Sequence, residues 1–145
     1  MTIIADSTAL ILLAKVSALE TFAGRNIIIV PKEVYEEVVR GKDTVRVDSI
    51  LTERLVYERK LAIKAPNNSV RNNMQKLFNL KGGELDVIAL AHKTNDTVLS
   101  DDKKCLNAAK ALRVGFITSL DVIVALYKKR IISKEKANDC ISKLE

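Results

Sequence analysis

Arg25-Asn26-Ile27-Ile28-Ile29-Val30-Pro31 decides the fold, because its β-branched run shows no alternation with polar residues and ends on a proline. A strand that faces water on one side alternates; one covered on both faces, as in a parallel sheet packed between helices, does not. Pro31 suits the first position of a following helix, which the pattern carries to about Arg40 with Gly41 as its stop. Upstream, Thr2-Ile3-Ile4-Ala5 repeats the same shape and ends at Asp6, after which Ser7 or Thr8 caps a helix to roughly Glu20, closed by Gly24. Downstream, apolar spacing at Val47, Ile50, Leu51, Leu55 and Val56 predicts a helix over Val45–Arg59, then a short edge strand at Leu61–Ala65 before Pro66. A polar helix over Asn67–Leu80, a break at Lys81-Gly82-Gly83 and a patterned helix over Glu84–Thr94 lead to a strand at Thr97–Ser100. Helix Asp102–Leu112, strand Val114–Thr118, helix Ser119–Lys129 and a last helix opened by Ser133 complete the alternation. Short β-branched runs alternating with longer helical patterns predict an α/β fold around a parallel sheet.

With 145 residues, 48% of them hydrophobic, the chain has the material for one core and is expected to form a single domain over residues 1–145. The start, Met-Thr-Ile-Ile-Ala-Asp, lacks a basic leader and no apolar run reaches bilayer length, so the expectation is a cytoplasmic protein with no membrane contact. Cys105 and Cys140 are too few for a disulfide framework and lack C-x-x-C spacing, which leaves buried thiols. The formal net charge of +6 is uneven: 14 Lys and Arg stand against 13 Asp and Glu in residues 1–101, and 10 against 5 in residues 102–145. A cationic C-terminal third suits phosphate contacts, although a solvated lysine-rich helix surface explains it equally well. Aromatic content of 4% with no Trp argues against a base-stacking platform.

In open parallel sheets the functional crevice lies beyond the carboxyl ends of the strands. Acids stand there: Asp6 after the first strand, Asp101 and Asp102 after the strand at 97–100, Glu37 in the helix after the second strand, and Glu84 at the head of the helix leading into the third. Helical rows separate the neighbours: Glu37 shares a face with Val34, and Glu84 with Val87, Ile88 and Ala91, while Asp86 is kept as an adjacent candidate. Two unit charges about 4 Å apart repel by roughly 4 kcal/mol at an effective dielectric near 20, so gathered carboxylates need a counter-charge. An oxygen-rich set with almost no His or Cys suits Mg²⁺ or Mn²⁺ rather than Zn²⁺, and phosphodiester hydrolysis is the natural chemistry. Each acid alone has a plain structural explanation, a helix cap or a dipole partner; the lone His92 reads as a surface residue and Asp121 as a first-turn acid.

These residues together resemble PIN domains, in particular the small prokaryotic branch with an acidic pair closing the fourth strand. The resemblance spans nearly the whole chain and is carried by Ala5-Asp6-Ser7-Thr8-Ala9-Leu10, by Val30-Pro31 with Val34-Tyr35-Glu36-Glu37-Val38, by Gly83-Glu84 leading into Ile88-Ala89-Leu90-Ala91, and by Leu99-Ser100-Asp101-Asp102. It implies a three-layer α/β/α sandwich and a metal-dependent endoribonuclease whose metal-binding acids are Asp6, Glu37, Glu84 and one or both of Asp101 and Asp102, the family register leaning toward Asp102. Thr8 and Ser100 are the implied hydroxyl helpers. It further implies RNA as substrate, frequent homodimers, and, since many relatives are VapC-type toxins, an antitoxin that inserts a segment, often with an Arg, into the acidic groove. The chain departs from the commoner pattern in having Glu rather than Asp as third acid. The competing expectation is a module that keeps the fold for RNA or protein binding without cleavage; a phosphatase or receiver-type reading fits poorly, because Asp6-Ser7-Thr8 lacks a second nearby Asp.

Overall fold

The computed structural model describes residues 2–41 and 46–144. In chain order, β1 (Thr2–Ala5) leads to α1 (Ser7–Lys15) and α2 (Leu19–Ala23), and β2 (Ile27–Pro31) to α3 (Lys32–Arg40) and α4 (Arg46–Tyr57). Then β3 (Leu61–Lys64) is followed by α5 (Asn68–Leu77) and α6 (Gly82–Thr94), β4 (Thr97–Leu99) by α7 (Lys103–Ala111), and β5 (Phe116–Ile117) by α8 (Ser119–Lys128) and α9 (Lys134–Leu144). The strands form one parallel sheet in the order β3-β2-β1-β4-β5, with Ile3 opposite Ile28 and Ala5 opposite Leu99. Helices cover both faces, giving the three-layer α/β/α sandwich. Ile3, Ile4, Ile28 and Val30 are buried as the unalternating runs require, and Leu10, Leu13, Leu85, Ile88 and Ile123 pack on them. The chain builds outward from β1 through β2 to β3, then returns to β1's other edge to lay down β4 and β5. That reversal makes the carboxyl ends of β1 and β4 a topological switch point, where neighbouring connections part and leave a crevice.

The structure differs from the sequence pattern in several places. The first helix stops at Lys15 rather than Glu20, because Ser17 takes a left-handed φ of 60° and Ala18 N–H donates to Leu13 O at 2.9 Å. Val16, Ala18 and Leu19 are all buried, so the apolar periodicity runs straight through the break and hides it. Pro31 ends β2 with ψ 144° and stands before the first helical residue instead of at it. Gly82 and Gly83 form the first turn of α6 instead of a break, and β5 is shorter than residues 114–118. The expected start of α4 at Val45 lies outside the described residues. Within α4 the expected face is partly inverted: Val47 and Ile50 are 71% and 51% exposed, while Asp48, Ser49 and Thr52 are buried beside Leu55. Thr52 Oγ1 returns a hydrogen bond of 2.9 Å to Asp48 O, so its hydroxyl is satisfied within the helix. Among the described residues no helix is long and apolar enough to cross a membrane.

Leu13 is wholly buried where α1 meets the sheet, so Leu13→Ala is expected to lower unfolding stability by about 2–5 kcal/mol, measured by urea titration.

Candidate active site

Asp6 stands where β1 hands over to α1, and its backbone N–H extends the ladder by one bond, to Leu99 O at 3.0 Å. Its side chain caps α1: Oδ1 accepts from Ala9 N–H at 3.0 Å and from Thr8 Oγ1 at 2.9 Å. Oδ2 accepts from the buried Ser100 hydroxyl, whose oxygen in turn accepts from Asp102 N–H at 3.0 Å. Thr8 and Ser100 therefore orient the Asp6 carboxylate. Only 2% of Asp6 is exposed, and burial raises its carboxyl above the usual range despite hydrogen bonds from Ser100, Ala9 and Thr8; the Asp101 charge adds to the rise.

Glu84 lies on the first turn of α6 and owes its place to the two glycines before it. Gly82 has φ +62°, and a Cβ on Gly83 would stand 2.7 Å from Glu37 Oε1 and 2.8 Å from Val34 Cγ2, so α6 approaches α3 only through glycine here. Glu37 fills that approach, with Oε1 accepting from Gly83 N–H at 3.0 Å and Oε2 from Ser7 Oγ at 3.0 Å. The Glu84 carboxyl is raised to about 7, first by burial, then by the charge of Asp102 and hydrogen bonding to it, then by Asp6, with Lys104 opposing.

The acidic pair divides. Asp102 caps α7 through Cys105 N–H at 3.1 Å and faces the cleft with Asp6 and Glu84. Asp101 turns the other way and accepts from Ser119 N–H at 3.1 Å and from the Ser119 hydroxyl, tying the end of β4 to the start of α8. Asp86 is not in the cleft: it is buried against Arg71, 2.5 Å from its Nε, and lines a separate cavity with Lys32, Glu33 and Glu36. Arg71→Ala, which strands a buried carboxylate, is expected to cost about 2–3 kcal/mol of stability on thermal or urea unfolding, with the cleft's metal response preserved. Cys105 lies buried beneath the site, its thiol pushed up to about 12 by burial and by the nearby Asp6, Glu84 and Asp102, so it stays protonated and inert. Asp121 forms a reciprocal capping box with Thr118 rather than part of the site.

The cleft has a volume of about 670 Å³, and Asp6, Glu37, Glu84 and Asp102 line it together with Asn79, Lys81, Lys103 and Lys104. Ser7, Asn79 and Lys81 were not singled out as site residues by sequence reasoning. Ser7 follows a strand-end acid and Lys81 precedes a glycine pair, signals that become readable only once α6 is known to start at Gly82. Among the described residues no three acidic, His or Cys side chains already meet as a ligand set. The donor chemistry nevertheless fits a hard divalent cation: every group is an oxygen, and the raised Glu84 carboxyl beside Asp102 and Asp6 marks gathered negative charge that a cation would offset.

The family described as "DUF3368: PIN domain" matches residues 2–145 of this chain. No curated protein is detectably similar in sequence. Among solved structures, the chain is similar to a PilT N-terminus domain protein, SSO1118, from the hyperthermophilic archaeon Sulfolobus solfataricus P2, with TM-score 0.59 and 18% identity over 86% of this chain and 92% of that one. It is also similar to PAE2754 from Pyrobaculum aerophilum, with TM-score 0.62 and 14% identity over 88% of this chain and 96% of that one. At these identities the two likenesses concern the fold alone.

Proposed function

Because the chain belongs to the PIN-domain family, whose members are generally nucleases, we propose that it is a divalent-metal-dependent endoribonuclease using Mg²⁺ or Mn²⁺. The observation that supports this best is the convergence of Asp6, Glu84 and Asp102 on one cleft with a carboxyl raised to about 7 between them. A site built only for stability has no reason to bury repelling acids, whereas a cation relieves the repulsion. When bound, such an ion supplies Lewis acidity at a phosphoryl oxygen and an activated water. Asp6, Glu84 and Asp102 would hold it. Asp6 is fixed for that task by Thr8, Ala9 and Ser100, and Lys81, Lys103 and Lys104 draw the phosphate backbone across the acidic cleft.

The reading carries a cytoplasmic, single-domain enzyme over residues 1–145 that acts as the toxin of a toxin-antitoxin pair, with a cognate antitoxin reaching the cleft and a homodimer as the assembly. The exposed Val47, Ile50 and Tyr57 of α4 offer apolar surface for such contacts. The test is Mn²⁺-dependent cleavage of a panel of structured and single-stranded RNAs, with EDTA and matched DNA as controls. Cutting that requires the metal supports the enzyme. RNA bound equally with and without Mn²⁺, and never cut, supports instead a PIN-like binding module.

A further inference from the structure

We propose that Glu37 is a positioning residue, a clasp that holds the starts of α1 and α6 together so that Asp6 and Glu84 share one cleft. The inference rests on the metal reading above for what is being positioned, and on geometry for the rest. Glu37 projects from α3, and each of its carboxylate oxygens is already engaged by a different helix, Oε1 by Gly83 N–H of α6 and Oε2 by Ser7 Oγ of α1, both at 3.0 Å. The Gly83 N–H belongs to the first turn of α6, where no intrahelical acceptor exists, and Gly83 is buried. Glu37 supplies the missing acceptor, so the contact that completes the start of α6 also fixes its distance from α1. The packing is shaped around this contact. A Cβ at Gly83 would stand 2.7 Å from Glu37 Oε1, and Gly82 holds φ +62° to bring the helix start in.

The two residues next to the clasp points are the acids themselves. Asp6 precedes Ser7 and Glu84 follows Gly83, so one carboxylate sets the spacing of two others. Asp102 reaches the same place independently, through Ser100 and its own cap on α7. A negative side chain at the head of α6 also complements the helix dipole, so Glu37 is stable there with no metal present.

The test compares Mn²⁺ affinity, by electron paramagnetic resonance of the free ion, in wild type, Glu37→Gln, Glu37→Ala, Gly83→Ala and Asp6→Asn. Gln keeps an oxygen for Gly83 N–H and an amide for Ser7, so Glu37→Gln is expected to weaken Mn²⁺ only about threefold, whereas Glu37→Ala weakens it by about tenfold or more. Gly83→Ala keeps the charge of Glu37 but displaces its carboxylate, and should match Glu37→Ala. Should that variant fail to fold, Ser7→Ala, which removes one arm of the clasp, is expected to weaken Mn²⁺ about threefold. Glu37→Gln falling as far as Asp6→Asn, or Gly83→Ala and Ser7→Ala binding as tightly as wild type, would overturn the clasp while leaving the metal site standing. Absence of Mn²⁺ binding by the wild type would overturn both.

Discussion

Asp6→Asn is expected to reduce Mn²⁺-dependent RNA cleavage by about 100-fold or more while leaving the protein folded. Asn keeps Oδ1 as acceptor for Ala9 N–H and Thr8 Oγ1, so the cap on α1 survives. Its amide meets the Ser100 hydroxyl, which can turn to accept. What disappears is a carboxylate buried at the switch point, and with it one of the smaller contributions, after burial and Asp102, to the rise of the Glu84 carboxyl. The variant should therefore unfold no earlier than wild type in metal-free buffer at pH 8, and should lack the rise in melting temperature that Mn²⁺ is expected to give the wild type. Cleavage at wild-type rate would remove Asp6 from the chemistry altogether; a fall in both activity and metal-free stability would mean the residue serves the fold.

The second large effect is a reversal of pH dependence by metal. Glu84 is raised from an ordinary 4.5 to about 7, so between those pH values the native protein holds a proton that the unfolded chain has released. Metal-free stability must then fall as pH rises through that window. The raised Asp6 carboxyl contributes in the same sense, starting from its lower ordinary value of 3.8. Because the Glu84 carboxylate is open to the cleft, solvent screens much of the penalty, and about 1 kcal/mol, or roughly 2–4 °C in melting temperature, is expected between pH 5.5 and pH 8. A bound cation would compete with the proton on Glu84, so Mn²⁺ is expected to stabilise most at pH 8 and least at pH 5.5. Glu84→Gln is expected to flatten both trends and to melt higher than wild type at pH 8 without metal. Differential scanning fluorimetry across pH, with and without Mn²⁺, reads all of these; a metal-free stability that climbs from pH 5.5 to pH 8 would contradict the assignment.

The sheet and most helices were legible because buried strands announce themselves by unbroken β-branched runs, as at Ile27–Val30, although the cap of α1 is Asp6 and not the expected Ser7 or Thr8, which lie inside the helix. The end of α1 was not legible, since a left-handed Ser17 has no residue signature and the apolar pattern persists across it. Nor was the exposed apolar side of α4. The site residues were found by asking which acids follow strands, but strand-end position says nothing about which way a side chain turns. Asp101 and Asp102 are adjacent and chemically identical; only the start of α8, with its Ser119 hydroxyl and N–H, draws one of them away. Asp86 kept its place as a candidate because Arg71, fifteen residues earlier, is not identifiable as its partner from sequence.

The return of the chain to β1's free edge has a consequence for synthesis. Asp6 emerges early, yet Ser100, which orients it, and Asp102, which faces it, follow more than ninety residues later. A growing chain can fold its first three strands around β1 while that edge stays open, and only the arrival of β4 brings the acids into register. Such long-range pairing is slow relative to local helix formation. An enzyme able to cut RNA would thus be made beside the ribosome in a form without a finished site, becoming competent only after residue 102 has left the exit tunnel.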